Sequence, residues 1–189
     1  MKTLPLSHGR NIPEVNEFAA RLSGDVYSTT DGGELYKGMG FISASIIFSN
    51  AAHGGSYVGA TPDGRKKGAP IADSLGAIFA KDTDGPTSLL GSVSSFELGK
   101  ALGVPVLNFN VQSDFSDEVL RALITGYMKS GGLQMQLSCV SKEELLDACE
   151  HPEEHRNLVV RVGGYSEYFV NLDDSMKRMI IDRTVHTEI

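Results

Sequence analysis

The stretch from Asn50 to Pro86 limits this chain more than any other. It is dense in Gly, Pro and Asp, running AAHGGSYVGATPDGRKKGAP and then KDTDGP. These residues interrupt regular structure: Gly opens positive φ, Pro fixes φ, and Asp bonds its own backbone. A loop of this length inside a compact domain is uncommon. Either it is functional or it wraps around something larger than this chain. Glycine is in excess throughout, 21 of 189 residues, against a usual share of ~7%.

Around that stretch the apolar periodicity predicts an α/β chain. Pro13–Ser23 reads as a helix with Val15, Phe18, Ala19 and Leu22 on one face and Gly24 as its stop. Asp31–Gly40 reads as a loop, and Phe41–Phe48 as a strand or a buried helix. Thr87–Leu102 is expected to be a helix and Val104–Val111 a strand. Ser116–Ser130 is expected to be an amphipathic helix capped by Ser116, with Val119, Leu120, Leu123, Ile124 and Tyr127 inside and Gly131 as the stop. Leu133–Val140 alternates with period two, and Ser141 with Glu144 forms a capping box for a helix through Cys149. Leu158–Val162 reads as a strand. Asp173–Arg183 reads as a helix with Leu172, Met176, Met179 and Ile180 on its apolar edge. Asp173–Lys177 and Asp174–Arg178 are its i,i+4 charge pairs. Helix and strand alternate through the second half, the rhythm of parallel pairing.

Composition narrows the function. The net charge of −7 disfavours a nucleic-acid surface, which needs cations. No apolar run reaches the ~18 residues of a membrane span, and the N-terminus lacks a signal-peptide core. A cytoplasmic location is the default expectation. Cys139 and Cys149 are too few for a disulfide framework. They are expected to be buried packing residues, as free Cys usually are.

The chemistry is carried near the C-terminus, by RVGGYSEYFVNL (Arg161–Leu172) and MIIDRT (Met179–Thr184). Alone, a double glycine is a turn in which Gly163 and Gly164 supply positive φ. Its surroundings resemble the signature of the glycyl radical enzymes, the superfamily of pyruvate formate-lyase and the glycerol and diol dehydratases. The matching residues are Arg161, Val162, Gly163, Gly164, Tyr165, Phe169 and Ile181-Asp182-Arg183-Thr184. GATPDGRKKGAPIAD (Gly59–Asp73), TDGPTSLLGSV (Thr83–Val93) and the run Gly131–Val162 resemble further family segments in the same order.

The resemblance implies the C-terminal part of a ten-stranded α/β barrel. Residues 1–60 would be a partial barrel segment and 61–189 the glycyl radical domain. It implies that Gly164 carries the radical, supported by Arg161, Val162, Gly163, Tyr165, Ser166 and Phe169. No cofactor is bound on this reading. A radical S-adenosylmethionine activating enzyme with a 4Fe–4S cluster removes a hydrogen from Gly164. A glycine suits the role, because a radical α-carbon must flatten and a Cβ would crowd it. The loop tip is expected to be buried, away from oxygen and water. The radical would serve a cysteine on a loop that lies far upstream in the family. That loop is not expected within the residues before Gly164, so an N-terminal barrel portion is an expected partner. A homodimer is a further possibility. The enzyme would be formate C-acetyltransferase-like or dehydratase/lyase-like. Ser166, Glu167 and Tyr168 resemble the dehydratase and decarboxylase branch more than pyruvate formate-lyase proper, while Glu167 and Gly163 depart from common family residues. A spare-part glycyl radical protein and a non-catalytic binding domain are the alternatives.

Other motifs have plainer readings. HPEEH (His151–His155) matches one zinc-peptidase pattern, but Pro152 cannot sit inside a helix, so an exit turn is expected. KGMGFIS (Lys37–Ser43) is a near miss to a dinucleotide loop. Arg65, Lys66 and Lys67 in PDGRKKG are expected on a solvated turn, or facing an acidic partner. His8 and His53 have no ligand partners at a recognisable spacing.

Overall fold

A computed structural model describes residues 7–31, 36–38, 40–46, 50–78, 81–101, 103–112, 115–183 and 185–186. Six helices are described: α1 (Pro13–Asp31), α2 (Ala51–Ser56), α3 (Pro86–Ser94), α4 (Asp117–Lys129), α5 (Lys142–Glu150) and α6 (Asp174–Ile181). The described strands are β1 (Asn108–Val111), β2 (Gln136–Cys139), β3 (Val159–Arg161), β4 (Ser166–Tyr168) and β5 (Val185–His186). Leu102, Phe48 and Thr184 lie outside the described residues.

The strands form two sheets. In the first, β1 sits between β2 and β5 and pairs with both in parallel, Asn108 opposite Gln136 and Asn110 opposite Val185. The second is the antiparallel hairpin β3–β4, with Val159 opposite Tyr168 and Arg161 opposite Ser166. The expected parallel rhythm therefore holds for β1, β2 and β5 and fails at β3. A two-residue turn folds the chain straight back, which only antiparallel pairing allows. No barrel closes among the described residues; this is a mixed α/β piece.

Several elements differ from their sequence reading for local reasons. Gly24 does not stop α1, which runs on to Asp31. A glycine inside a helix costs only ~1 kcal/mol, and Gly24 is buried where a Cβ would stand 3.2 Å from the Glu97 carboxylate. The face read as apolar is only partly covered: Val15 and Ala19 are half-buried, but Phe18 is 58% and Leu22 55% exposed, while Tyr27 is buried. Residues 41–46 are neither strand nor helix, although the carbonyls of Ser43 and Ser45 accept from the N–H groups of Gly103 and Val106. α3 ends at Ser94, eight residues early; the Ser95 hydroxyl bonds back to the Ser92 carbonyl and a 3₁₀ turn follows at Leu98–Lys100. β1 begins at Asn108 rather than Val104, because the backbone of Val106 bonds loop residues Ser45 and Leu75 instead of a strand. The long Gly-rich stretch holds the short helix α2.

The caps at Ser116 and Ser141 are as read from sequence, and the structure adds one at Asp173. The hydroxyls of Ser116 and Ser141 accept from the N–H groups of Val119 and Glu144, and Asp173 accepts from Ser175 and Met176. Asp173 thus acts as the N-cap of α6. Gly131 takes φ +99° as α4 ends. Ile124, expected inside, is exposed, whereas Leu123 and Tyr127 are buried.

Two hydrophobic clusters result. One gathers Leu89, Leu90, Val93, Leu107, Phe109, Leu123 and Tyr127 around the three-stranded sheet. The other gathers Leu145, Val160, Val162, Phe169, Leu172, Met179 and Ile180 around the hairpin, α5 and α6. The hairpin is thereby seated on its own apolar base.

Candidate functional site: the Gly163–Gly164 hairpin

The hairpin is closed by the Val162 N–H, which donates to the Tyr165 carbonyl at 3.0 Å. Gly163 and Gly164 are its two central residues. Only Gly164 takes positive φ, +82°, so one glycine rather than both meets the left-handed requirement. A positive φ at the second central position of a turn favours Gly there. Val162 and Phe169 are fully buried and pin the two ends of the hairpin in the second cluster. Gly163 is buried, but Gly164, Tyr165 and Ser166 are exposed. The expected burial of the loop tip is therefore not met within this chain. The apolar contacts stop at Val162 and Gly163, and no described segment crosses over Gly164.

Polar side chains hold the turn from two sides. From the start of β2, the buried Gln136 accepts the Gly164 N–H at 3.0 Å through its Oε1. The same oxygen accepts from Arg161 Nε, and Arg161 Nη1 donates to Ser166 Oγ at 3.2 Å. From the end of α6, Arg183 Nη1 donates to the Arg161 carbonyl at 2.7 Å and Nη2 to the Val162 carbonyl. Arg183 Nη2 also lies 2.9 Å from Asp73 Oδ2, both side chains being 7% exposed. Asn108 Nδ2 donates to both Asp73 oxygens at 2.9 Å. Burial pulls the Arg183 guanidinium below its ordinary pKa, and the neighbouring Asp73 charge opposes that pull. A guanidinium still keeps its proton in such a place. The pair is thus a charged clamp on the backbone leading into the glycines.

All seven residues expected at the site lie on this hairpin or at its exit: Arg161, Val162, Gly163, Gly164, Tyr165, Ser166 and Phe169. Gln136, Asp73 and Asn108 were not expected there. Gln136 hid in an alternating strand pattern and Asp73 at the end of a loop. The one usable signal was that both are polar residues next to buried apolar runs.

Elsewhere the plainer readings are revised in detail. Cys139 and Cys149 are exposed free thiols rather than buried ones, because their neighbours Val140 and Ala148 take the inward positions. Arg65 is buried, not solvated; it donates to the carbonyls of Gly59, Lys66 and Ala69 and so holds its own loop. HPEEH forms the exit turn of α5, and His151 and His155 both bond Asp147, at 2.9 and 2.6 Å. His8 stacks on Phe96 and bonds the Leu75 carbonyl.

A family model described as glycine radical matches residues 76–170, half of the chain. The chain belongs to the glycine radical family. This glycine radical domain is 36% identical over 161 residues to probable dehydratase YbiW of Escherichia coli K12, covering 82% of this chain and 19% of that protein. It superposes on the glycerol-bound, B12-independent glycerol dehydratase of Clostridium butyricum with a TM-score of 0.90 at 31% identity. That match covers 99% of this chain and 24% of the other. A Roseburia inulinivorans structure described for 1,2-propanediol dehydration gives a TM-score of 0.87 at 31% identity, over 95% of this chain and 23% of that one. The glycine radical domain thus spans about a fifth to a quarter of the relatives it matches. These relatives are described as dehydratases, and none of them favours a formate acetyltransferase.

Proposed function

We propose that this chain is the radical-storing portion of a dehydratase-type glycyl radical enzyme, with the unpaired electron on Gly164. The observation that carries the reading is the state of Gly164. It is the positive-φ residue of a turn whose flanking peptides are clamped by Gln136 and Arg183, on a base of buried Val162 and Phe169.

The steps balance simply. An activating enzyme of the radical S-adenosylmethionine class takes one hydrogen atom, a proton with its electron, from the Gly164 α-carbon. The remaining electron stays on the flattened α-carbon, which the neighbouring backbone can stabilise by conjugation. A cysteine thiol outside this chain then gives a hydrogen atom to Gly164, restoring the glycine and leaving a sulfur-centred radical. That radical acts on a small hydroxylated substrate in the barrel portion. The chain's own residues hold the turn and leave the α-carbon on an open face. An N-terminal barrel portion would cover that face in the complete enzyme.

Anaerobic incubation with S-adenosylmethionine, a reductant and a glycyl radical activating enzyme should give a doublet electron paramagnetic resonance signal. Gly164→Ala should abolish it. A wild-type chain that stays silent even when paired with a complementing barrel portion would sink the proposal. Exposure of the activated protein to air should cut the backbone at Gly164, giving two fragments in denaturing mass spectrometry. An intact chain after the signal has decayed in air would contradict the assignment.

A further inference from the structure

We infer that Gln136 is a positioning residue for the Gly164 amide, fixing the peptide plane through which an electron on the α-carbon would reach nitrogen. This rests on Gly164 being the radical glycine, the reading proposed above.

The geometry has three parts. First, the bond that closes the turn runs from Val162 N–H to Tyr165 O, so the Gly164 N–H takes its partner from outside the hairpin, 28 positions away in sequence. Second, that partner is rooted in rigid structure. Gln136 begins β2, its own N–H donates to the Leu107 carbonyl at 2.8 Å, and its residue is 7% exposed. Third, both acceptor positions of its carbonyl oxygen are engaged, one by Gly164 N–H and one by Arg161 Nε. Swinging the amide plane of Gly164 therefore means giving up a bond inside a three-membered network, not a lone contact with water.

The consequence for the electron follows from orbital overlap. A flattened α-carbon shares spin with nitrogen to the extent that its p orbital lies parallel to the nitrogen lone pair. With φ at +82° the preceding peptide plane stands almost at right angles to the plane through N, Cα and C′ of Gly164. Overlap on the nitrogen side is then small unless that peptide rotates. Gln136 opposes the rotation, so spin is kept off the nitrogen. A purely structural Gln would stabilise the fold without affecting where the spin resides.

The test has two arms on the full 189-residue chain. In the unactivated protein, amide hydrogen exchange at Gly164 is compared between wild type, Gln136→Met and Gln136→Glu. Losing one hydrogen bond of ~1.4 kcal/mol should speed exchange about tenfold in Gln136→Met. Gln136→Glu, which keeps an acceptor, should retain protection. The Leu145 amide in α5 serves as the folding control. In the activated protein with 15N-glycine, the nitrogen coupling should rise in Gln136→Met and stay near wild type in Gln136→Glu. If Gln136→Met does not fold, Gln136→Asn, too short to reach, replaces it with the same expectation. Unchanged Gly164 exchange in the Met or Asn variant overturns the inference, as does faster exchange with an unchanged nitrogen coupling. A silent wild-type resonance spectrum overturns the radical reading, while the exchange arm still decides whether Gln136 holds the amide.

Discussion

At the scale of single residues, the buried pair Asp73–Arg183 is a costly point to disturb. Removing one partner strands the other charge at a site with little water. Asp73→Ala should therefore lower unfolding stability by about 3–5 kcal/mol, read as a shift of the urea midpoint. Arg183→Lys should also weaken the hairpin, since a single ammonium cannot serve two carbonyls and a carboxylate in the same plane. Gly164→Ala carries a separate backbone cost of about 1–2 kcal/mol, because an L-residue is strained at that φ. These residues differ in how readable they were. Arg161 to Phe169 are contiguous, so their chemistry could be read along the chain. Gln136 and Asp73 reach the turn only through tertiary folding, and nothing local to either names the glycine it serves.

At the scale of elements, α5 and its exit turn form a pH-sensitive unit. Asp147 bonds His151 and His155, which holds its carboxyl below the ordinary value; Asp147 in turn raises His151. The raised His151 contributes stability that is complete below its unfolded pKa and fades as pH rises through the folded one. The lowered Asp147 contributes stability that is present above its unfolded pKa and fades as pH falls through the folded one. The exit turn should be best ordered between these limits. An NMR titration should place His151 above 6.5, and Asp147→Asn should bring it back down; an unmoved titration would refute the pairing. The capped ends of α4 and α5 were legible because Ser116 and Ser141 announce them locally, and the start of α6 was placed within one residue of its Asp173 cap. The ends of α1 and α3 were not. Gly24 looked like a stop and was a close approach to Glu97, and after Ser94 the chain takes a 3₁₀ turn at Leu98–Lys100 rather than continuing as helix.

At the scale of the whole molecule, the open side of α1 is the telling feature. Phe18, Leu22 and Val26 repeat every fourth residue on it, all exposed, and Phe41 and Ile42 are exposed as well. Apolar side chains repeating along one helix face normally meet a partner. If the partner is the barrel portion, the isolated chain should bind a hydrophobic dye, and adding that portion should reduce the binding. Phe18→Ser with Leu22→Ser should lower the chain's own dye binding without shifting its melting temperature. The same contrast explains the fold expectation. The layered α/β character was readable from alternating helices and strands, but closure of a barrel requires strands that are not among those described.

The clamp around the hairpin also decides the fate of a broken molecule. A cut at Gly164 separates residues up to the turn from Tyr165–Ile189. That tail contributes Phe169, Leu172, Met179 and Ile180 to the second cluster. It also contributes Arg183, which stays paired to Asp73, and β5, which stays paired to β1. None of these attachments passes through the severed bond. The damaged chain should therefore keep its native elution volume in gel filtration and come apart only in denaturant, an injury that leaves the body whole.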